Sequence, residues 1–468
     1  MRTFALALAF VPAIALGQAS VETSPVPALA ALANGSRSEL AEVVSRYSAD
    51  RSALYRRYGV DYSPAQTKRL ETFTTQWLGR LRELDFDKLT QEGQVDYVLL
   101  RHELEYEQYQ LGRTRQQLAE MQAYTPFATT IFDLMETRRE LVPVNQQEAG
   151  RALATLAKQV DSVRRTVERL TSTKVDTTIT RVRDSVRTAR FVGFRTVGFV
   201  ESLRTTLGQW YRYYSGYDPL FTWWTEDPYK RTDDALEAYA KVVRERVVGI
   251  REGDADPIIG DPIGAAGLTA DLAHEMMPYT PERLIQIAER EYAWCEAEMK
   301  KASREMGFGD DWRKAVEKVK NTYVDPGKQP DLIRDLAREA EQYVEQHELV
   351  TVPPLAKEIW RMEMMTPEQA VDFLVDRVGH ERANAEAEVR RSFNGTYPPL
   401  YQVAYMIGGL QFGALHRELV ESGRMTNRQF HDAILQGGRM PVEMVRARLE
   451  NRPLTRDYRA QWRFDDGR

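Results

Sequence analysis

The chain has 468 residues, 28% charged and 43% hydrophobic, with 64 Lys plus Arg against 69 Asp plus Glu for a net charge of −5. That length allows a large core and one to three domains, and the charge balance gives no basis for a nucleic-acid or anionic-membrane partner. The single cysteine, Cys295, rules out an internal disulfide and a thiolate metal cluster.

In chain order, Arg2 precedes an apolar run from Phe4 to Leu16, and Ala15-Leu16-Gly17 has the small-x-small form of a cleavage site. Residues 1–19 therefore read as a secretory signal peptide. Pro, Ala and Ser dominate the stretch that follows, and 20–35 reads as a mobile linker. No later stretch has about 18 continuous apolar residues, so no membrane span is expected. Export without disulfides fits a secreted or periplasmic bacterial protein.

From 36 to 468 the pattern is helical, and a mainly α, multi-helix single domain of about a dozen helices is expected. Ser63-Pro64, Thr280-Pro281, Thr366-Pro367 and Thr426-Asn427 each place an N-cap hydroxyl before a helix, most with Pro at the first helical position. The Arg-rich stretch Arg181–Arg195 reads as a solvated helix face. The aromatic run from Trp210 through Trp223 and Trp224 suits either a pocket lining or a core anchor. Asp256–Gly264 could form a short hairpin. After Thr280, the residues Leu284, Ile285, Ile287, Ala288, Tyr292, Cys295 and Met299 make an apolar helical stripe that Gly307 ends. In that stripe Cys295 reads as a small core residue.

Four of the six His residues are followed by Glu: His102-Glu103, His274-Glu275, His347-Glu348 and His380-Glu381. Each is half of the zinc-peptidase motif H-E-x-x-H, in which two His one turn apart share a metal and the Glu acts on its water. The second His is absent each time; the position after His274-Glu275 is Pro278. Polar pairs on helix surfaces are the simpler reading, and a site assembled from distant His and Glu stays open. Tyr397, Tyr401 and Tyr405 are four apart, so on a helix they share a face, and Gly408-Gly409 would let a second helix approach. A Tyr hydroxyl can donate to an oxyanion, or it can simply pack with its hydroxyl bonded to backbone.

Several blocks together resemble a named family. They are Tyr279-Thr280-Pro281-Glu282-Arg283-Leu284, Val350-Thr351-Val352-Pro353-Pro354, Val378-Gly379-His380-Glu381, Tyr397-Pro398-Pro399-Leu400-Tyr401-Gln402 and Phe430-His431-Asp432-Ala433. With Gln94-Val95-Asp96-Tyr97 and the surroundings of Trp223-Trp224, they are similar in wording and order to an exported bacterial family of domains of unknown function, number eight-eight-five. The resemblance implies a helical fold like that of zinc peptidases. It also implies a His-Glu-x-x-Pro-Gly-His-His block with a later Glu-Gly-Trp, and zinc in an intact member.

In this chain the flanking segments nearly abut as EIWRMEMMTPEQA, so the block is absent at Met364-Met365-Thr366 and no metal ligand carries over. Carried over residue by residue, Tyr405 is the candidate oxyanion donor with Tyr401 a turn away, and His431 belongs to a shared motif of underived role. Trp223, Trp224 and Tyr397 are the candidate substrate-binding residues. The expectation is a member without zinc and without hydrolase activity. Two alternatives stand beside it: a peptide-binding protein using the remaining aromatic cleft, and a metallohydrolase with a site from scattered His and Glu such as His380 and His431.

Overall fold

The computed structural model describes residues 29, 38–172, 180–251, 253–254, 259, 261–325, 327–352, 398 and 400–465. Among these there are fourteen α-helices and no strand, so the chain is mainly α as the periodicity predicts. Thr366, His380 and Tyr397, the proposed signal peptide and the junction near 364–366 lie outside the described residues. In the expected hairpin the described residues form no strand, and α8 (Gly264–His274) begins where it would end.

The predicted caps form. Ser63 accepts from the Gln66 amide at the start of α2 (Pro64–Arg82), and Thr280 accepts from the Arg283 amide at the start of α9 (Pro281–Glu305). Thr426 and Gln429 complete a reciprocal capping box at α13 (Asn427–Gln436). Gly307, at φ +85°, turns the chain out of α9, with the Phe308 amide reaching back to the Ser303 carbonyl.

Three buried clusters hold the fold. The first joins α4 (Ala128–Arg139), α5 (Gln146–Leu170), α6 (Thr180–Ser215) and α7 (Pro219–Val243) around Leu153, Leu203, Trp210, Phe221 and Tyr239. Close α5–α7 contact has a local cause. Pro228 lacks the amide that would bond the Trp224 carbonyl, and that carbonyl lies 2.5 Å from where a Cβ on Gly150 would stand. Only glycine lets α5 come so near. Arg195 of α6 is not on a solvated face, contrary to expectation: it is largely buried and pairs with Glu120 and Asp261.

The second cluster joins α1 (Ala41–Arg57), α2 and α3 (Gln91–Met121) around Trp77, Tyr97 and Leu104; it also buries Leu29, from the stretch read as a linker. The third joins α8, the first turn of α9, α12 (Tyr401–His416), α13 and the C-terminal tail. Two elements tie the clusters together. The 31-residue α3 has Val95 and Leu104 in the second core and Met121 in the first. On α14 (Val442–Glu450), Met444 faces the second core and Val445 the third.

The tail locks α9 at its root. Asp465 is buried and accepts from the Tyr279 hydroxyl, from Arg283 at 2.6 Å and from Arg290 at 3.2 Å. Burial pushes the Asp465 carboxyl up, but these donors outweigh it and hold the group below its usual range. Beyond that root the apolar stripe of α9 faces solvent: Tyr292 and Met299 are exposed, and so is Cys295, which corrects its reading as a core residue; Trp294, beside the stripe, is exposed as well. Leu332, Leu336 and Tyr343 of α11 (Gln329–Gln346) are exposed as well.

Candidate functional site

A cleft of about 1100 Å³ opens between α1, α3, α8, α12 and the segment 439–442. Helical spacing builds its walls. Val44, Tyr47, Ser48, Arg51 and Ser52 form one face of α1; Asp96, Leu99, Leu100 and Glu103 form one face of α3. Tyr401, Ala404, Gly408 and Gln411 form the facing side of α12. Among the described residues no neighbouring element comes within 4 Å of the Cβ positions of Gly408 and Gly409, and Gly408 lines the cleft.

Two polar groups reach the cleft on its α3 side, through Tyr47 and Arg51 and through Glu103 and His274. Buried Glu107 accepts from the Tyr47 hydroxyl at 2.9 Å, Arg51 Nε at 3.0 Å and the Tyr55 hydroxyl at 3.3 Å. Burial, and then Glu107, pushes Tyr47 far above the usual phenol range, so its proton stays to satisfy the carboxylate. Arg51 is thereby fixed on the cleft wall, held charged by Glu107 against the opposing effect of burial.

The second group centres on His274. Its ring stacks on Tyr106 at 3.9 Å and 10°. Tyr106 donates to buried Asp271 at 2.9 Å, and burial followed by Asp271 pushes its hydroxyl up to about 12. His274 Nε2 lies 3.8 Å from Glu103 Oε2, while its Nδ1 is buried with no hydrogen-bond partner among the described residues. A buried polar atom without a partner is costly, and a bound water would satisfy it. The neighbouring His102 is different: Nε2 faces the Tyr458 carbonyl at 3.3 Å, and burial lowers its pKa to about 4, so it is a neutral packing residue.

Of the sequence-derived site residues, Tyr401 lines the cleft, and Tyr405 donates to its hydroxyl at 2.8 Å from an exposed position, so the shared face holds. The Trp pair lies elsewhere. Trp223 and Trp224 stand on the first turns of α7, and Trp223 lines a separate depression that has no lining residue in common with the cleft. The aromatic run divides both ways: Trp210, Tyr214 and Phe221 are core, whereas Tyr217, Trp223 and Trp224 are exposed. His431 Nδ1 meets the Leu349 carbonyl at 2.6 Å, and Asp432 accepts from the Thr351 amide and hydroxyl at 2.7 and 2.6 Å. That motif therefore clamps the chain at 349–351.

Tyr106 and Arg51 were not singled out by sequence; His274 and Glu103 were, as members of separate His-Glu pairs, but not as partners of each other. The visible hint was the recurrence of His-Glu, since one member of each of two such pairs meets here. Among the described residues no three His, Cys, Asp or Glu side chains converge, and His274 with Glu103 supplies two donors where a zinc site takes at least three; His380 lies outside those residues.

A family model described as "Bacterial protein of unknown function (DUF885)" matches residues 49–365 and 360–449. The chain belongs to this family. The DUF885 match thus covers the clamp at 349–351 and all of the cleft lining except Val44, Tyr47 and Ser48. No curated protein and no solved structure matches the chain. The two matched stretches overlap at 360–365. No helix among the described residues is long and apolar enough to cross a membrane.

Proposed function

We propose that this DUF885 protein is an exported, peptidase-like member without the metal block, and that it holds a peptide in the α1–α3–α8–α12 cleft without hydrolysing it. The cleft itself carries the reading. Its volume of about 1100 Å³ and largely apolar walls suit a short peptide, and Arg51, Glu103, His274 and Tyr401 give a carboxylate, an amide and a carbonyl polar partners. Two further observations support the lost block. The family match breaks into two stretches at 360–365, and the stripes of α9 and α11 lie in solvent as helices would whose packing partner is gone.

Without a bound metal, water keeps its high pKa. A Tyr donor lowers the barrier by about 3–4 kcal/mol at most, far short of peptide hydrolysis. The test is calorimetric titration with a mixed peptide library, beside metal analysis and a peptidase assay. Saturable binding with intact peptide recovered supports the reading. One zinc per chain together with turnover refutes it, and so does an absence of binding across the library. Export is checked by mass spectrometry of the protein from its native cell envelope, which should lack the first ~19 residues.

The His274–Glu103 contact favours a second reading, in which the pair moves a proton for a hydrolytic step. His274→Ala would then abolish turnover, and an assay with no turnover to abolish dismisses it.

A further inference from the structure

The Trp pair, separated from the cleft, has its own chemistry. We propose that the corner between α6 and α7 is a docking site for a cationic side chain, a lysine or arginine of a partner polypeptide. Tyr217 and Trp223 are 70% and 72% exposed and line a shallow depression of about 470 Å³ whose other wall carries Glu226. Trp224 meets Trp223 edge to face at 4.6 Å and 86°, which holds the Trp223 ring upright from the helix. An exposed indole face presents the negative lobe of its quadrupole, and a carboxylate beside it adds a full charge, the pairing that selects an ammonium or guanidinium.

The site lies near the first turn of α7, whose dipole alone would repel a cation. Asp218 answers that. As N-cap it accepts from the Phe221 amide, which holds its carboxyl below the usual range and therefore ionised. Among the described residues no hydrogen bond or ion pair engages Glu226, although Lys230 stands one turn along the helix. The chain supplies an example of the same recognition on the other side of the cluster. The Arg138 guanidinium sits 4.3 Å over Tyr213, and Tyr213 packs edge-on to Tyr217 at 6.3 Å. The Tyr213 face is filled by the protein's own cation; the Tyr217–Trp223 side, with its carboxylate, has the matching chemistry and no such cation among the described residues.

The test titrates the whole protein with acetyl-Lys-Lys-Lys-amide at low salt, followed by calorimetry, with the same peptide acetylated on every side-chain amine as a neutral control. Cellotetraose serves as a sugar probe, since exposed aromatics also stack on sugars. The expected result is saturable binding of the cationic peptide that weakens about tenfold in Trp223→Ala and about threefold in Glu226→Gln. The neutral peptide should bind at least about tenfold more weakly. Equal binding of the neutral peptide, binding of cellotetraose in place of the peptide, or no effect of either corner variant overturns the proposal. So does an absence of binding at millimolar peptide. Trp223 is exposed, so its variant should keep the parent urea midpoint; if that midpoint shifts, the threefold loss in Glu226→Gln decides between the two outcomes.

Discussion

The helices α5, α7, α9 and α11 are all amphipathic, yet only the α5–α7 layer buries its stripe. In α5 the apolar positions Leu153, Leu156 and Val160 are fully buried against α6 and α7. In α9 the stripe is buried only at Leu284 and Ile287, and from Tyr292 onward it meets solvent. The difference teaches that periodicity reports a helix's intended face, whereas stability comes only from what covers that face.

The sharpest way to break this contrast is a matched pair of truncations. Trp210→Ala, in the first cluster, should cost about 3–5 kcal/mol in urea unfolding, while Tyr292→Ser on the arm should change the midpoint by less than about 0.5 kcal/mol and improve solubility. A large loss at Tyr292 would mean that its face is covered in solution. Next, Gly150→Ala would drive a methyl into the Trp224 carbonyl and should cost about 1–3 kcal/mol. An unchanged midpoint would show that α5 and α7 are not so tightly seated.

The root of the arm offers a third, smaller test. The folded-state pKa of Asp465 is depressed, so its contribution is present above the unfolded carboxylate value and is lost as pH falls through the folded value. Asp465→Asn should cost about 1–2 kcal/mol at pH 7, and the parent and variant unfolding curves should converge as pH drops below about 4. A gap that stays constant in acid would remove the carboxylate from the account. The smallest effect is local. Asp432→Ala releases the Thr351 amide and hydroxyl, and limited proteolysis after residue 349 should quicken severalfold with little change in global stability.

Much of the helical layout was legible because its signals are local. Ser63, Thr280 and Thr426 cap within three residues, Gly307 takes the left-handed conformation that ends α9, and the four-residue spacing of Tyr401 and Tyr405 puts their hydroxyls together. Cys295 was misread because a stripe says where a side chain points along a helix and nothing of what lies opposite.

The site itself was the least legible. His274 looked like a chance neighbour of Glu275, yet its relevant partners are Glu103 and Tyr106 on α3. The two Trp residues looked like part of the Tyr401 wall, yet α7 presents them at a different depression.

By itself the sequence determined a helical chain of this family, its caps and stripes, and the absence of a His-Glu-x-x-Pro-Gly-His-His run, all of which are properties of residues close along the chain. The tertiary structure alone decided which stripes are covered, that α1, α3, α8 and α12 enclose one cleft, and that His274 faces Glu103 inside it. Those facts depend on side chains distant in sequence meeting in space, and one chain's residue order does not encode that meeting in any local pattern.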